Sequence, residues 1–286
     1  MLTYEQALIE TTSRLETAGS DTPKLDATLL LCEVVGKSKI QVYSHPRTQL
    51  NQEEYARFEA FVARREKAEP VAYILGRKGF WDIDLTISRD VLIPRPDTET
   101  LVETIFQTYP DKNQPLSVCE LGVGSGAVII TLLMAYPKAK GVAVDISQPA
   151  LACTRLNANQ HGVLNRLEFV KSHWFEDLDK SCAFNVIASN PPYIPTKDMP
   201  DLMRDVRGYE PHEALDGGKD GLEAYRNIIT AAPEFLKGGG LLALEVGQGQ
   251  AADVRDLLNK TDRFTAPDIK QDMAGIERVV FARGRQ

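Results

Sequence analysis

Ser117-Val118-Cys119-Glu120-Leu121-Gly122-Val123-Gly124-Ser125-Gly126 decides how the rest of the chain is read. Five residues of buried-strand character run into three alternating glycines, and the apolar run Ala127–Tyr136 that follows reads as a helix. A strand that turns through glycines into a helix opens a parallel α/β unit. Outward from it the alternation continues. Candidate strands are Ser117–Leu121, Gly141–Val144, Leu167–Val170, Asn185–Ser189, Leu241–Val246 and Val279–Ala282, with another near Thr265–Ile269. Candidate helices at Pro149–His161, Leu222–Phe235 and Ala251–Asn259 fill the gaps. The stiff stretch Pro94-Arg95-Pro96-Asp97-Thr98-Glu99 opens a further helix from about Asp97 to Tyr109, with Thr98 or Asp97 as its cap. The fold expected is α/β, an open Rossmann-like sheet of about seven strands. Such sheets bind ligands beyond the carboxyl ends of their strands.

The first 75 residues have a different period. Leu8, Leu15, Leu25, Leu29, Leu30, Val34 and Val35 recur at helical spacing, and Tyr55, Phe58, Phe61 and Val62 mark one face of a stretch from Gln52 to Lys67. Thr3 and Asp21 are candidate N-caps, the latter two residues before Pro23. This reads as a small helical bundle, either a partner-recognition domain or a structural cap. From Arg77 to Ile93 the pattern alternates as in a hairpin. The domains expected are therefore 1–75, a helical bundle; 76–93, a β-hairpin linker; and 94–286, the α/β domain.

Of 286 residues, 43% are apolar, which suffices for an ordinary globular core. The net charge of −7 argues against a general nucleic-acid binder, and the first 75 residues carry 9 basic against 11 acidic side chains. Cys32, Cys119, Cys153 and Cys182 form no C-x-x-C pair, and the four histidines are scattered. Reduced thiols in a cytoplasmic protein and no metal are expected. No apolar run reaches membrane-spanning length, and the N-terminus has no signal-peptide core.

Three stretches at strand ends carry chemistry. The G-x-G-x-G spacing of Gly122 to Gly126 lets backbone pass close under a ligand. It is not the dinucleotide G-x-G-x-x-G, and no P-loop lysine follows. Asp145, at the end of the next strand, suits ribose hydroxyls, unless it is a helix N-cap in competition with Ser147. Loop and acid together indicate an adenosine cofactor without pyrophosphate, namely S-adenosyl-L-methionine. Glu120 either assists the sulfonium or braces the loop, and Trp174 either lies on adenine or belongs to the core. The third stretch, Asn190-Pro191-Pro192-Tyr193, ends a buried strand. Proline has no N–H, so this corner presents carbonyl acceptors, together with the Asn190 side chain and the Tyr193 ring. It suits a planar –NH2 group. An amide nitrogen is a poor nucleophile that no side chain deprotonates near neutral pH. A protein can instead fix it in line with an electrophile and stabilise the charge that develops on it.

With these stretches assembled, the chain resembles the bacterial release-factor glutamine methyltransferases over nearly its whole length. The most specific pieces are Glu69-Pro70-Val71-Ala72-Tyr73-Ile74-Leu75-Gly76, Pro94 to Glu99, the glycine loop, and Asn190 to Tyr193. Glu210-Pro211, Asp216 to Leu222 and Leu244-Glu245-Val246-Gly247-Gln248 follow. The resemblance implies N5-methylation of the glutamine in the Gly-Gly-Gln loop of peptide-chain release factors, by a monomer whose bundle grips that protein. It implies cofactor contacts from Gly122, Val123, Gly124, Ser125, Gly126, Asp145, Trp174 and Asn190. Asn190, Pro191 and Tyr193 would be catalytic, with Pro192 and Arg95 also at the substrate and Glu99 nearby. His173 departs from the acidic residue often found at that position. The corner is shared with adenine methyltransferases, so N6-adenine methylation of nucleic acid and glutamine methylation of a ribosomal protein are the alternatives. Both the acidic bundle and the Pro94 to Glu99 stretch weigh against them.

Overall fold

A computed structural model describes residues 2–285. Two compact units result: Met1–Arg77 with Leu202–Tyr209, and Lys78–Asp201 with Glu210–Gln286.

The first unit holds α1 (Tyr4–Thr17), α2 (Pro23–Val35), α3 (Lys39–Ser44), α4 (Gln52–Arg65) and α5 (Val71–Leu75). Local sequence starts these helices. Thr3 with Gln6, Ser38 with Gln41 and Asn51 with Glu54 each form a reciprocal capping box. Asp21 does not cap α2; Thr22 holds that position without a side-chain bond, and its hydroxyl turns to Asp26. Tyr4, Leu30, Leu31, Val42, Leu50, Phe58 and Val62 form the core, whereas Leu25 and Tyr55, expected inside, are exposed. A buried ion pair ties this core together. Arg65 Nε lies 2.7 Å from Asp26 Oδ2, and its other nitrogens reach Ser20 Oγ and the Glu69 carbonyl. The short helix α9 (Arg204–Tyr209) also belongs here, with Asp205 3.6 Å from Arg65 and the Tyr209 hydroxyl donating to the Lys67 carbonyl.

The second unit begins at Lys78, within the hairpin of β1 (Arg77–Phe80) and β2 (Ile83–Thr86), followed by α6 (Glu99–Thr108), β3 (Ser117–Leu121), α7 (Ala127–Ala135) and β4 (Lys140–Asp145). It continues through α8 (Gln148–Gln160), β5 (Leu167–Lys171), β6 (Phe184–Ser189), α10 (Glu223–Ala231) and β7 (Leu236–Glu245). α11 (Ala251–Lys260), β8 (Asp268–Gln271) and β9 (Glu277–Arg283) complete it. The seven-stranded sheet has the order β5-β4-β3-β6-β7-β9-β8, with only β9 antiparallel to its neighbours. Near-continuous apolar runs such as Val118–Leu121 and Val186–Ser189 suit strands buried on both faces. The order reverses between β3 and β6, which opens a crevice at their carboxyl ends.

Three boundaries differ from expectation. The segment 76–93, expected as a linker, joins the second unit from Lys78 onward; the Thr86 N–H donates to Asn157 Oδ1 and the Asn157 amide returns a bond to the Thr86 carbonyl. α10 stops at Ala231 because Pro233 forces a 3₁₀ turn, and β7 then starts at Leu236, before the Gly238-Gly239-Gly240 tract. A 3₁₀ turn, Pro96–Thr98, precedes α6, and neither Asp97 nor Thr98 caps the helix through its side chain.

Replacing one member of a buried ion pair strands the other. Arg65→Met should destabilise the protein by about 3–5 kcal/mol. Urea unfolding within about 0.5 kcal/mol of the parent would contradict the anchoring role given to this pair.

Candidate functional site

The carboxyl ends of β3, β4 and β6 and the start of α10 enclose a cleft of about 420 Å³. Gly122, Gly124, Asp145, Trp174, Asn190 and Pro192 line it, so residues far apart in sequence come together. Gly122 and Gly124 have φ of 68° and 54°, a left-handed conformation that strains any residue with a Cβ. Asp145 is tied to this loop. Gly124 N–H donates to its Oδ2 and Ser147 N–H to its Oδ1, each at 2.9 Å. Ser147, not Asp145, caps α8, since its hydroxyl accepts from the Ala150 N–H. Burial raises the Asp145 pKa, and the backbone donors work against that rise.

Other expected residues sit behind the cleft. Val123, Ser125 and Gly126 do not line it. Val123 and Ser125 are buried, and a Cβ on Gly126 would come within 2.8 Å of Ile130 and Thr154 side chains. They shape the turn. Glu120 is buried and accepts the Ile129 N–H at 2.8 Å, bracing the first turn of α7. Burial, the largest cause, pushes its carboxyl up to about 8. Trp174 both lines the cleft and packs on the sheet core, with φ of 54°. His173 lines the cleft beside it and pairs with Glu176.

Asn190 follows the last residue of β6. Its Nδ2 donates to Thr98 Oγ1 at 3.2 Å, and its Oδ1 has no protein partner among the described residues. Pro191 and Tyr193 do not line the cleft. Tyr193 packs against Gly247, and burial, with Glu245 adding, pushes its phenol up to about 12, so it stays protonated near neutral pH. Arg95 is paired with Glu210, which also accepts the Ile93 N–H, so it braces the Pro94 stretch from outside the cleft lining. Glu99 accepts the Trp81 N–H.

The corner is held from one side by a glycine-rich segment. Ile194 N–H donates to the Leu215 carbonyl, Gly217 N–H to the Ile194 carbonyl and Thr196 N–H to the Gly218 carbonyl. A Cβ on Gly217 would meet Tyr193 Cα at 2.7 Å and the Pro192 carbonyl at 2.8 Å. One on Gly221 would meet the Tyr193 carbonyl at 2.4 Å. That carbonyl also accepts from Gln250 Nε2.

Sequence reasoning missed Ile146, which lines the cleft and remains 53% exposed. A large apolar side chain directly after a strand-ending acid was the available signal. It also missed the carboxylates of Asp90, Glu213 and Glu223, for which spacing gives no signal. Together with Asp145 and Asp216 they make five carboxylates in a lining that has no Lys or Arg.

A family model described as the PrmC N-terminal domain matches residues 6–76, and one described as the methyltransferase small domain matches residues 96–205. A release factor glutamine methyltransferase from Geobacter sulfurreducens is 41% identical, covering 98% of this chain and 96% of its own length. One from Coxiella burnetii is 40% identical over 99% of both chains. The chain belongs to the release factor glutamine methyltransferase family. A methyltransferase structure from Pyrococcus furiosus, 16% identical, aligns over 80% of this chain and 98% of that one with a TM-score of 0.54, a likeness of fold. As a family member with a methyltransferase domain, the protein is an enzyme that uses S-adenosyl-L-methionine. Among the described residues no helix is long and apolar enough to cross a membrane.

Gly217→Ala should push the corner away from its support and lower turnover by about tenfold or more, with far-UV circular dichroism unchanged. Parent-like turnover would show that the corner tolerates displacement. Glu120 gives a pH effect of defined sign. Its folded pKa is raised from 4.5 to about 8, so the stabilisation is full below pH 4.5 and is lost as pH rises through 8. Glu120→Gln should flatten that decline in thermal melts across the window; an unaltered slope would contradict it.

Proposed function

We propose that the protein transfers a methyl group from S-adenosyl-L-methionine to the side-chain amide nitrogen of the glutamine in the Gly-Gly-Gln loop of peptide-chain release factors. The observation that carries this reading is the free Oδ1 of Asn190, on the switch-point side of the same cleft that holds the glycine loop and Asp145. The relatives' names point to the same substrate.

The cleft fits the cofactor. Gly122 and Gly124 leave room for close approach, Asp145 keeps carboxylate lone pairs for ribose hydroxyls, and Ile146 and Trp174 offer apolar faces for a base. Five carboxylates without a lysine or arginine favour a ligand with net positive charge. When bound, S-adenosyl-L-methionine supplies an electrophilic methyl group on a sulfonium. The chain's own work is to hold the acceptor. Asn190 Oδ1 takes one N–H of the glutamine amide and, although Pro191 itself lies outside the cleft lining, the carbonyl of Pro191 next along the corner takes the other, which turns the nitrogen lone pair outward and stabilises the positive charge that develops there. Tyr193 shapes the corner, since its phenol is no base near neutral pH. Among the described residues no group of three or more His, Cys, Asp or Glu side chains could hold a metal ion.

For the helical bundle we assign contact with the release factor. Ile9, Ile40 and Tyr43 are exposed on it at 64%, 78% and 50%. Apolar side chains left in solvent are a resource for docking protein.

Purified protein with labelled donor should methylate a release factor and leave unmodified DNA and ribosomal protein unlabelled. Labelling of DNA alone would overturn the proposal. Asn190→Ala should cut turnover by about 100-fold with a smaller loss of donor affinity. Asp145→Ala should weaken donor binding first, and an unchanged donor Kd in that variant would remove Asp145 from the site.

A further inference from the structure

The turn after β5 presents His173 to the cleft on a fixed backbone. Ser172 N–H donates to the Asp145 carbonyl at 3.1 Å, Asp177 N–H to Ser172 Oγ at 3.0 Å and Glu176 N–H to the His173 carbonyl at 3.2 Å. Trp174 takes a left-handed φ of 54°, which is uncommon outside glycine. Phe175, stacked on Phe235 with ring centroids 4.7 Å apart, anchors the turn in the core. His173 stands beside Trp174, ring centroids 5.7 Å apart, with its own side chain 47% exposed.

The imidazole is held by one edge. Nδ1 lies 2.9 Å from Glu176 Oε1, and Glu176 does not line the cleft. An exposed pair of this kind contributes little to stability. Its consequence is chemical. A carboxylate only accepts, so Nδ1 carries the hydrogen, and in the neutral ring Nε2 keeps a lone pair. Nε2 has no partner among the described residues, and His173 lines the cleft. The pair therefore sets a tautomer that offers the cleft an acceptor and not a donor.

We infer that His173, fixed by Glu176, selects the base of the cofactor: its Nε2 accepts a hydrogen of the adenine amino group. The inference rests on the assignment of the cleft to S-adenosyl-L-methionine and of Asp145 to the ribose. A ribose at Asp145, which ends β4, leaves its base between Ile146 and the turn after β5. Ile146 and Trp174 offer contact to any flat base and do not tell one purine from another. Asn227, which also lines the cleft, carries a donor and an acceptor and adapts to either. His173 discriminates. Adenine presents an amino donor, whereas hypoxanthine has a carbonyl in its place and a hydrogen on the neighbouring ring nitrogen. An acceptor pairs with the amino group and opposes the carbonyl.

The test is calorimetric titration of the demethylated cofactor and of its inosine counterpart, in which a carbonyl replaces the amino group. It is run at about pH 8.5, where free imidazole is neutral. The parent should bind the adenosine form about tenfold tighter, less than a fully buried pair would give because His173 is half-exposed. His173→Phe keeps a flat ring beside Trp174 and removes the acceptor, so the preference should fall to within about twofold. Glu176→Gln lets the imidazole take either tautomer. The inosine form should then bind about fivefold tighter, with the adenosine form changed by less than about twofold. A parent without preference, a preference that survives in His173→Phe, or parent-like affinity of Glu176→Gln for the inosine form would overturn the inference. Asp145→Ala separates this failure from failure of the site. If that variant binds the demethylated cofactor as tightly as the parent, the ribose assignment falls and the inference with it. If its binding is weakened while His173→Phe keeps the preference, the inference alone is overturned.

Discussion

The parallel pairing of β3 with β6 is the constraint on which the site depends. Leu121 lies opposite Ser189, and the Ser189 hydroxyl donates to the Leu121 carbonyl at 2.8 Å. The residues that follow, Gly122 on one strand and Asn190 on the other, are thereby fixed side by side at the point where strand order reverses. Loops alone would not hold two ligand-facing groups at constant separation. Two central strands, buried on both faces, do so through their ladder and leave little freedom to the corner that extends from them.

Support for the corner comes from three directions, each with its own chemistry. From one side the Asp216–Gly218 backbone pairs with it as a short parallel bridge, which is possible because Gly217 and Gly221 leave space for backbone against backbone. Gly247, just past the end of β7, leaves room for the Tyr193 ring. Behind it, Thr98 tethers the Asn190 amide. The prolines themselves remove backbone donors, so the carbonyls are not consumed by a ladder. Rigidity here has a functional meaning. The reaction offers no strong base and asks for orientation and charge stabilisation instead.

Much of this was legible in the chain itself. β3 was read to the residue, because an apolar strand ending in glycine has sharp edges, and the glycine loop, Asp145 and Asn190 were placed at strand ends that indeed adjoin. Where reading failed, tertiary packing had overruled local signals. Thr98 looked like a helix cap, but the side chain it serves is 92 residues away. Val123 and Ser125 alternate with Gly122 and Gly124 and face inward, while Gly126, at the start of α7, is packed against Ile130 and Thr154. Pro233 was an overlooked stop signal inside an apparently continuous helix. Glu213 and Glu223 reach the cleft only through the path of the chain after the corner, which no periodicity encodes.

In the proposed reaction the corner aims a carboxamide nitrogen at a sulfonium methyl. A crystal structure with the demethylated cofactor and a Gly-Gly-Gln peptide tests it most directly. The glutamine amide nitrogen should lie within about 3.2 Å of both Asn190 Oδ1 and the Pro191 carbonyl, with the cofactor's sulfur facing its open side. A glutamine bound elsewhere, or a corner remote from that sulfur, would contradict it.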